Sequence, residues 1–300
     1  MMGDGQGLAA MRYAGPIYRP PSEADSLLIQ ATVGCPHNRC TFCMVYKKTK
    51  FRVRPTLEIQ EDLREARRVY GDLVKTIFLP AGNTIAMPTA ALADVCREAY
   101  HLFPHLQRIT VYGSAPFIFR KGSEQLGVLA EAGLRRIHMG LESGDDKILA
   151  RVKKGAKAGE QIAAGRMVRE AGLELSAYVM LGIGGQDRSP IHARETAAAI
   201  NEIRPDFLRL RTFVPKVDTP LLEEVLAGGF QMLTPHQVIT ETMALLEGIT
   251  VPTRVVSDHY TNYVNVAGKL PEDRDFLIQT LSQALRKEES AFRPFFIGTA

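Results

Sequence analysis

The chain has 300 residues, 37 Lys and Arg against 33 Asp and Glu, a net charge of +4 and 45% hydrophobic residues. That length buries a core without covalent staples, and the composition is that of an ordinary soluble globular protein, neither collagenous nor low-complexity nor basic enough to announce a nucleic-acid binder. Four cysteines exclude a disulfide scaffold, and no run approaches the ~18 consecutive apolar residues of a membrane helix.

In chain order, residues 1–24 are rich in Gly and Pro, show no period and read as an N-terminal arm. They lack a charged head followed by an apolar run, so no targeting segment is expected and the protein reads as cytoplasmic. Residues 26–33 read as a buried strand that ends in Gly34 and a cysteine loop. Helical periodicity follows over 55–69, 89–102, 123–132, 158–171 and 190–203. Strand patterns at 75–79, 108–112, 136–140, 175–181 and 207–213 alternate with these helices. Such alternation means parallel strands with crossover helices.

Glu131-Ala-Gly-Leu134 and Glu170-Ala-Gly-Leu173 each end a helix on Gly and launch a strand, either as shared turn chemistry or as a βα repeat. After Pro215 the rhythm changes. Residues 221–227 and 235–247 look helical, 251–256 like a strand, 257–268 polar and aromatic, and 271–288 helical again. The expected organisation is an arm at 1–24, a core at 25–221 and a C-terminal extension at 222–300 packed on that core.

Three of the four cysteines lie within nine residues, in Gly34-Cys35-Pro36-His37-Asn38-Arg39-Cys40-Thr41-Phe42-Cys43, with C-x4-C-x2-C spacing. Three thiolates on one loop can hold three irons of a [4Fe–4S] cube and leave the fourth iron without a protein ligand. The competing reading is zinc, because His37 lies between Cys35 and Cys40 and a Cys3His set is chemically possible. The loop alone leaves both open. Cys96 sits by itself in a helical pattern and reads as a small core residue.

A loop after the first strand with three clustered cysteines, and an aromatic, Phe42, just before the last, resembles the radical S-adenosylmethionine (SAM) enzymes. The commonest spacing there is C-x3-C-x2-C, so this loop carries one extra residue. The resemblance implies an α/β fold with a partial (βα)6 TIM-like barrel and a C-terminal α/β extension. It implies a [4Fe–4S] cluster on Cys35, Cys40 and Cys43, whose open iron chelates SAM and whose electron generates a 5′-deoxyadenosyl radical. An external one-electron reductant of flavodoxin or ferredoxin type is implied as well.

Parallel α/β folds place ligands at the C-terminal ends of strands, and unusual residues stand at each of them. Gly82-Asn83 occupies the place of the family's G-G-E, with Asn83 replacing the acid. Ser114 follows the third strand and is placed by the resemblance near the SAM ribose or carboxylate. Gly140-Leu141-Glu142-Ser143-Gly144-Asp145, then Lys154, is similar to the G-x-[EQ]-S-G-x-D stretch of the methylthiotransferase and coproporphyrinogen-oxidase-like branches. It implies that Glu142 meets SAM and that Lys154 neutralises its carboxylate. Gly182-Ile183-Gly184-Gly185-Gln186 is similar to G-x-P-G-Q, where backbone approaches the adenine. Thr219-Pro220-Leu221 matches T-P-L. A Rossmann or P-loop cradle is set aside, since neither G-x-G-x-x-G after the first strand nor G-K-[ST] is present.

Arg209 and Arg211 alternate with Leu208 and Leu210 and point one way, into a lumen or into the helix layer. The run 46–54 is basic with interleaved aromatics, which permits an anionic substrate, although nucleic acid is not the expected partner of so mild a charge. Methylthiotransferases carry a second three-cysteine cluster, for which this sequence has too few cysteines. The expected protein is a radical SAM enzyme acting on an unidentified substrate with no catalytic residue assigned. The alternative is a zinc-stabilised RNA-binding protein on an α/β scaffold without redox chemistry.

Overall fold

The computed structural model describes residues 11–15 and 17–299; the rest of the N-terminal arm, with Ala300, lies outside the described residues. Strands β1 (Leu27–Leu28), β2 (Thr32–Val33) and β3 (Arg52–Val53) flank the cysteine loop, followed by helix α1 (Thr56–Tyr70). Then come β4 (Thr76–Leu79), α2 (Thr89–Leu102), β5 (Arg108–Gly113), α3 (Ala115–Glu131), β6 (Leu134–Glu142), α4 (Asp146–Arg151) and α5 (Ala158–Glu170). The chain continues through β7 (Glu174–Leu181), α6 (Gly185–Ile203), β8 (Phe207–Thr212), α7 (Pro220–Leu226), α8 (Pro235–Gly248), β9 (Thr253–Val256), β10 (Ala267–Leu270) and α9 (Arg274–Ala284).

The main sheet has the order β1-β4-β5-β6-β7-β8-β9-β10. All neighbours from β1 to β9 run parallel, and β10 returns antiparallel along β9. The first six strands in that order form the expected partial (βα)6 barrel, and the C-terminal region lengthens the same sheet by two strands. Alternation sorts the side chains. Ile77, Leu79, Ile109, Val111, Ile137, Met139, Ala177, Val179, Leu208 and Leu210 pack outward in one large core with the helices. Their neighbours point into the lumen, where Phe78, Tyr112, His138 and Tyr178 form an aromatic cluster with centroid separations of 5.1 to 6.0 Å.

Several boundaries differ from the sequence reading, each for a physical reason. The strand expected over 26–33 splits, because β1 pairs with β4 while β2 leaves the sheet to pair with β3 and carry the cysteine loop. Helix α3 starts at Ala115, ahead of 123, and bends at Gly122, whose φ of 69° interrupts the helical turn. Helix α6 starts at Gly185, so Pro190 lies inside it and not at its start. The last helix is shorter than 271–288, and β10, with its weak strand-forming Ala-Gly-Lys-Leu, was not expected. Gly133 and Gly172 have φ of 104° and 74° just past α3 and α5, the left-handed residue that ends a helix without a Cβ clash.

Residues 21–23 of the arm form a 3-10 turn whose Glu23 is fully buried. Its carboxylate meets His138 Nε2 at 3.0 Å, Ser26 Oγ at 2.6 Å and the Arg108 guanidinium at 3.3 Å. Arg108 opens β5 and Arg136 is the third residue of β6, so this cluster closes the N-terminal end of the barrel, opposite the cysteine loop.

Candidate active site

The cysteine loop leaves β2 and is pinned at several points. Gly82 N–H donates to Gly34 O at 3.0 Å, Thr41 N–H to Val152 O at 3.0 Å, and Leu221 N–H to Thr41 O at 3.1 Å. These bonds fasten the loop to the turn after β4, to the end of α4 and to the start of α7. Lys47 folds back on it and donates to the carbonyls of Asn38 and Cys40 at 3.0 and 2.9 Å. Arg54 is buried in an ion pair with Asp62 at 2.7 Å. Of the basic run, only Lys48, Lys50 and Arg52 are exposed.

Cys35, Cys40 and Cys43 are half-buried, whereas Cys96 is buried. Burial pushes the Cys40 thiol up to about 11 against the pull of Lys154, with Cys43 and Cys35 raising it further. Burial pushes Cys43 up as well, and Cys35 adds to the rise. The three thiols therefore sit in one another's electrostatic field. Burial holds Cys96 at about 12, as expected of a core residue away from any metal.

Glu142 and Lys154 form a close pair, Nζ to Oε1 2.8 Å, with both side chains about one-tenth exposed. Burial works to lower the Lys154 pKa, but Glu142 and then Cys40 raise it, and the net shift is upward. Lys154 is thus held charged beside the thiols. Asn83 is fully buried. Its Nδ2 donates to Ser114 Oγ at 2.7 Å, and its Oδ1 accepts from Ser114 N–H at 3.1 Å. The two strand ends are clamped together, with the Asn83 amide directed at Ser114.

Gly182 has φ 77° and begins the turn into α6. The Ile183 side chain is buried with Ile148, Val152, Met180, Phe213, Leu221 and Phe230, and Phe42 packs on that cluster. Only the Ile183 backbone is left to face a ligand.

Sequence reasoning missed the groups behind these turns. Glu241 of α8 accepts from Gly182 N–H at 2.7 Å and from Ser189 Oγ at 2.6 Å. His192 Nδ1 is 2.8 Å from Ser143 Oγ, and Gly144 N–H donates to Thr196 Oγ1 at 2.9 Å. The structure also settles the direction of Arg209 and Arg211. Both register opposite the lumen-facing Tyr178 and Met180 of β7, so both point into the barrel.

The fit to a cluster and to SAM rests on shape and donors. A Cβ on Gly82 would lie 2.5 Å from Cys35 Cβ and 3.1 Å from its Sγ. A Cβ on Gly140 would lie 2.4 Å from Glu142 Oε1 and 2.8 Å from Lys154 Nζ. The backbone is cut back at both points around soft thiol donors, and a charged pair stands beside them. The Cys3His alternative lacks this fit. His37 Nε2 is engaged with Lys153 O at 2.8 Å, and its ring packs on Gly155.

Residues 29–195 match the Radical SAM superfamily. The chain belongs to this superfamily. It is 25% identical over 249 residues (76% of the chain, 49% of the relative) to a tRNA-2-methylthio-N(6)-dimethylallyladenosine synthase of Bifidobacterium adolescentis. To a synthase of the same name from Sorangium cellulosum it is 28% identical over 206 residues, 61% of the chain and 40% of the relative. The chain spans about half the length of the curated relatives it matches.

Methylornithine synthase (PylB) superposes with a TM-score of 0.54 at 16% identity, over 88% of the chain and 83% of PylB. Coproporphyrinogen III oxidase (HemN) of Escherichia coli gives 0.52 at 17% identity, over 73% and 51%. At such identities the superpositions establish the fold alone. Members of this superfamily are iron–sulfur enzymes that use a [4Fe–4S] cluster and SAM, and nothing supports the zinc-stabilised alternative for this chain. Among its described residues no helix is long and apolar enough to cross a membrane.

Proposed function

We propose that Cys35, Cys40 and Cys43 each ligate one iron of the cluster and that the fourth iron is the SAM site. The single observation that carries this reading is the convergence of the three thiols with the buried Glu142–Lys154 pair. In this reading Glu142 receives the SAM amino group and Lys154 its carboxylate. Ser114, held by Asn83, faces the ribose, and Gly82 leaves room beside Cys35. Phe42 walls the cluster, and the backbone at Gly182 and Ile183 lies along the adenine. When bound, the reduced cluster supplies the electron that cleaves SAM to methionine and the 5′-deoxyadenosyl radical that takes hydrogen from substrate. The chain's own groups orient SAM and keep water out, and thiolate ligation releases the cysteine protons.

We assign the arm to 1–24, the barrel core to 25–221 and a packed extension to 222–300. The exposed Lys48, Lys50 and Arg52 beside the loop suit an acidic reductant of flavodoxin or ferredoxin type. A reducing, cytoplasmic setting fits three free thiols.

Anaerobic purification tests the reading. Brown protein with about four irons and four sulfides per chain is expected, together with release of 5′-deoxyadenosine when dithionite and SAM are added. Cys40→Ala abolishes the cluster and Cys96→Ala keeps it. Colourless protein that holds one zinc and cleaves no SAM after iron reconstitution would falsify the assignment.

A further inference from the structure

Strand β8 sends Phe207, Arg209 and Arg211 into the lumen, and Phe213 follows directly after it. Arg209 is accounted for. It is buried, its Nε donates to Ser176 Oγ at 3.1 Å, and Asp258 lies 3.7 Å from its Nη1. Arg211, one step nearer the cysteine loop, is half-buried, and its Nε is buried without a partner. It forms no ion pair among the described residues, and neither does Lys216, whose Nζ makes only a 3.4 Å contact with Tyr260 Oη.

Both cations line one cavity of about 80 Å³ together with Phe42, Cys43, Met180 and Phe213. The cavity thus has the cluster loop on one side, an apolar wall, and two positive heads with no anion to answer them. The neighbouring imidazole supplies none. Burial, then Arg211 and Lys216, hold the His259 pKa down to about 4, so it is neutral at pH 7. A buried N–H without an acceptor is costly, and an oxyanion beside the Arg211 Nε would relieve that cost.

In the proposed function Lys154, paired with Glu142 at the β6 end, answers the SAM carboxylate two strands away from β8, which leaves Arg211 and Lys216 to a second anion. Val217 N–H donates to Gly298 O at 3.1 Å and Gly298 N–H to Pro215 O at 2.9 Å, while Arg293 Nε donates to Thr261 O at 2.9 Å. Asn262 clamps the β8 end, accepting from Thr212 N–H at 2.7 Å and donating to Leu210 O at 2.9 Å. The C-terminal segment and the 257–263 loop therefore fold across the strand ends. A cavity of about 80 Å³ admits a small molecule and not a nucleic-acid backbone.

We propose that the substrate of this enzyme is a small organic oxyanion, a carboxylate or a phosphate, held by Arg211 and Lys216 beside Cys43. The proposal rests on the radical SAM reading of the cysteine loop. Arg211 presents a fork that either oxyanion accepts, and Lys216 adds a point charge to the same lining. The apolar wall of Met180 and Phe213 receives the carbon skeleton.

The test titrates the reconstituted full chain with SAM present against butyrate, benzoate and inorganic phosphate, read by ligand-observed NMR. Saturable binding is expected, weakened about tenfold in Arg211→Met, the scale of one charge-assisted hydrogen bond. Lys216→Met weakens it too, and because Lys216 sits in a loop, it serves if the arginine variant does not fold. Binding of the carboxylates alone assigns a carboxylate, and binding of phosphate alone a phosphate. No saturable binding of any probe, or binding unchanged in both variants, overturns the proposal. So does a short RNA hairpin that binds where the small anions fail to compete. Wild-type SAM cleavage is measured in parallel. Protein that cleaves SAM yet binds no anion overturns this proposal alone, and protein that cleaves none overturns the reading beneath it.

Discussion

Ala81 and Glu142 have φ of 97° and 62°, left-handed backbone that a side chain with a Cβ disfavours. Each such residue costs on the order of 1–3 kcal/mol and persists where its surroundings over-determine it. Both end strands beside the cysteine loop. Ala81 precedes the Gly82–Asn83 turn, and Glu142 sits at a register shift where β6 leaves β7. Gly82 between them answers a steric demand, because any Cβ there meets Cys35. Gly82→Ala should therefore displace Cys35 and lower iron and sulfide content after reconstitution by more than half. Gly159→Ala is the control, since nothing lies within 4 Å of its Cβ position, and it should reconstitute as wild type does. Equal cluster content in the two variants would refute the close approach.

At this scale the sequence is informative where neighbours in space are neighbours in the chain. The cysteine loop was legible from its spacing, and the Glu142-to-Lys154 stretch from its resemblance to a family motif. The Asn83–Ser114 clamp was not, because two different strands bring those residues together.

Among the elements, α8 does most that the periodicity did not announce. It read as an ordinary amphipathic helix, yet Glu241 shares the buried stripe with Val238, Thr242 and Leu245. An acid on an apolar stripe was the available signal. Its partners lie in the β7–α6 turn, which is why the pattern alone did not identify them. By accepting from Gly182 N–H and Ser189 Oγ, Glu241 sets the turn that faces SAM in the proposed function.

Glu241→Gln keeps one acceptor oxygen but turns an NH2 toward one of these donors. It should weaken SAM binding about tenfold in equilibrium dialysis and cost roughly 1–3 kcal/mol of stability, the range for a buried polar group left unsatisfied. Ser189→Ala leaves the Gly182 bond in place and should cost less in both measurements. A Glu241→Gln protein with wild-type SAM affinity would show that the turn stands without the helix. The strand and helix alternation itself was legible throughout. What escaped were elements with weak local preference, such as β10, and ends set by packing, such as the split of β1 from β2.

Across the whole molecule, the barrel is closed at one end by the arm and open to ligands at the other. The arm gave no periodic signal, because a plug works through a few buried polar contacts and not through a repeated apolar face. Burial raises the Glu23 pKa, but the hydrogen bonds from His138 and Ser26 outweigh it with help from nearby charge, and the net value falls from 4.5 to about 2. Burial lowers the His138 pKa despite that same hydrogen bond. The pair is therefore a carboxylate receiving Nε2–H from a neutral imidazole.

A depressed carboxylate pKa stabilises the fold above the unfolded value, here by about 3 kcal/mol at 1.36 kcal/mol per unit. That contribution is complete above about pH 4.5 and is lost as pH falls toward 2. Protonation of His138 in the unfolded chain pulls the same way on acidification. Urea unfolding of chelator-treated protein, so that acid loss of the cluster does not contribute, reads the effect. Wild type should lose stability steadily below pH 5. Glu23→Gln should start lower at pH 7, because Arg108 loses its partner, and the gap between the two should close toward pH 3. A gap that stays constant from pH 7 to 3 would mean that folding does not shift the Glu23 pKa.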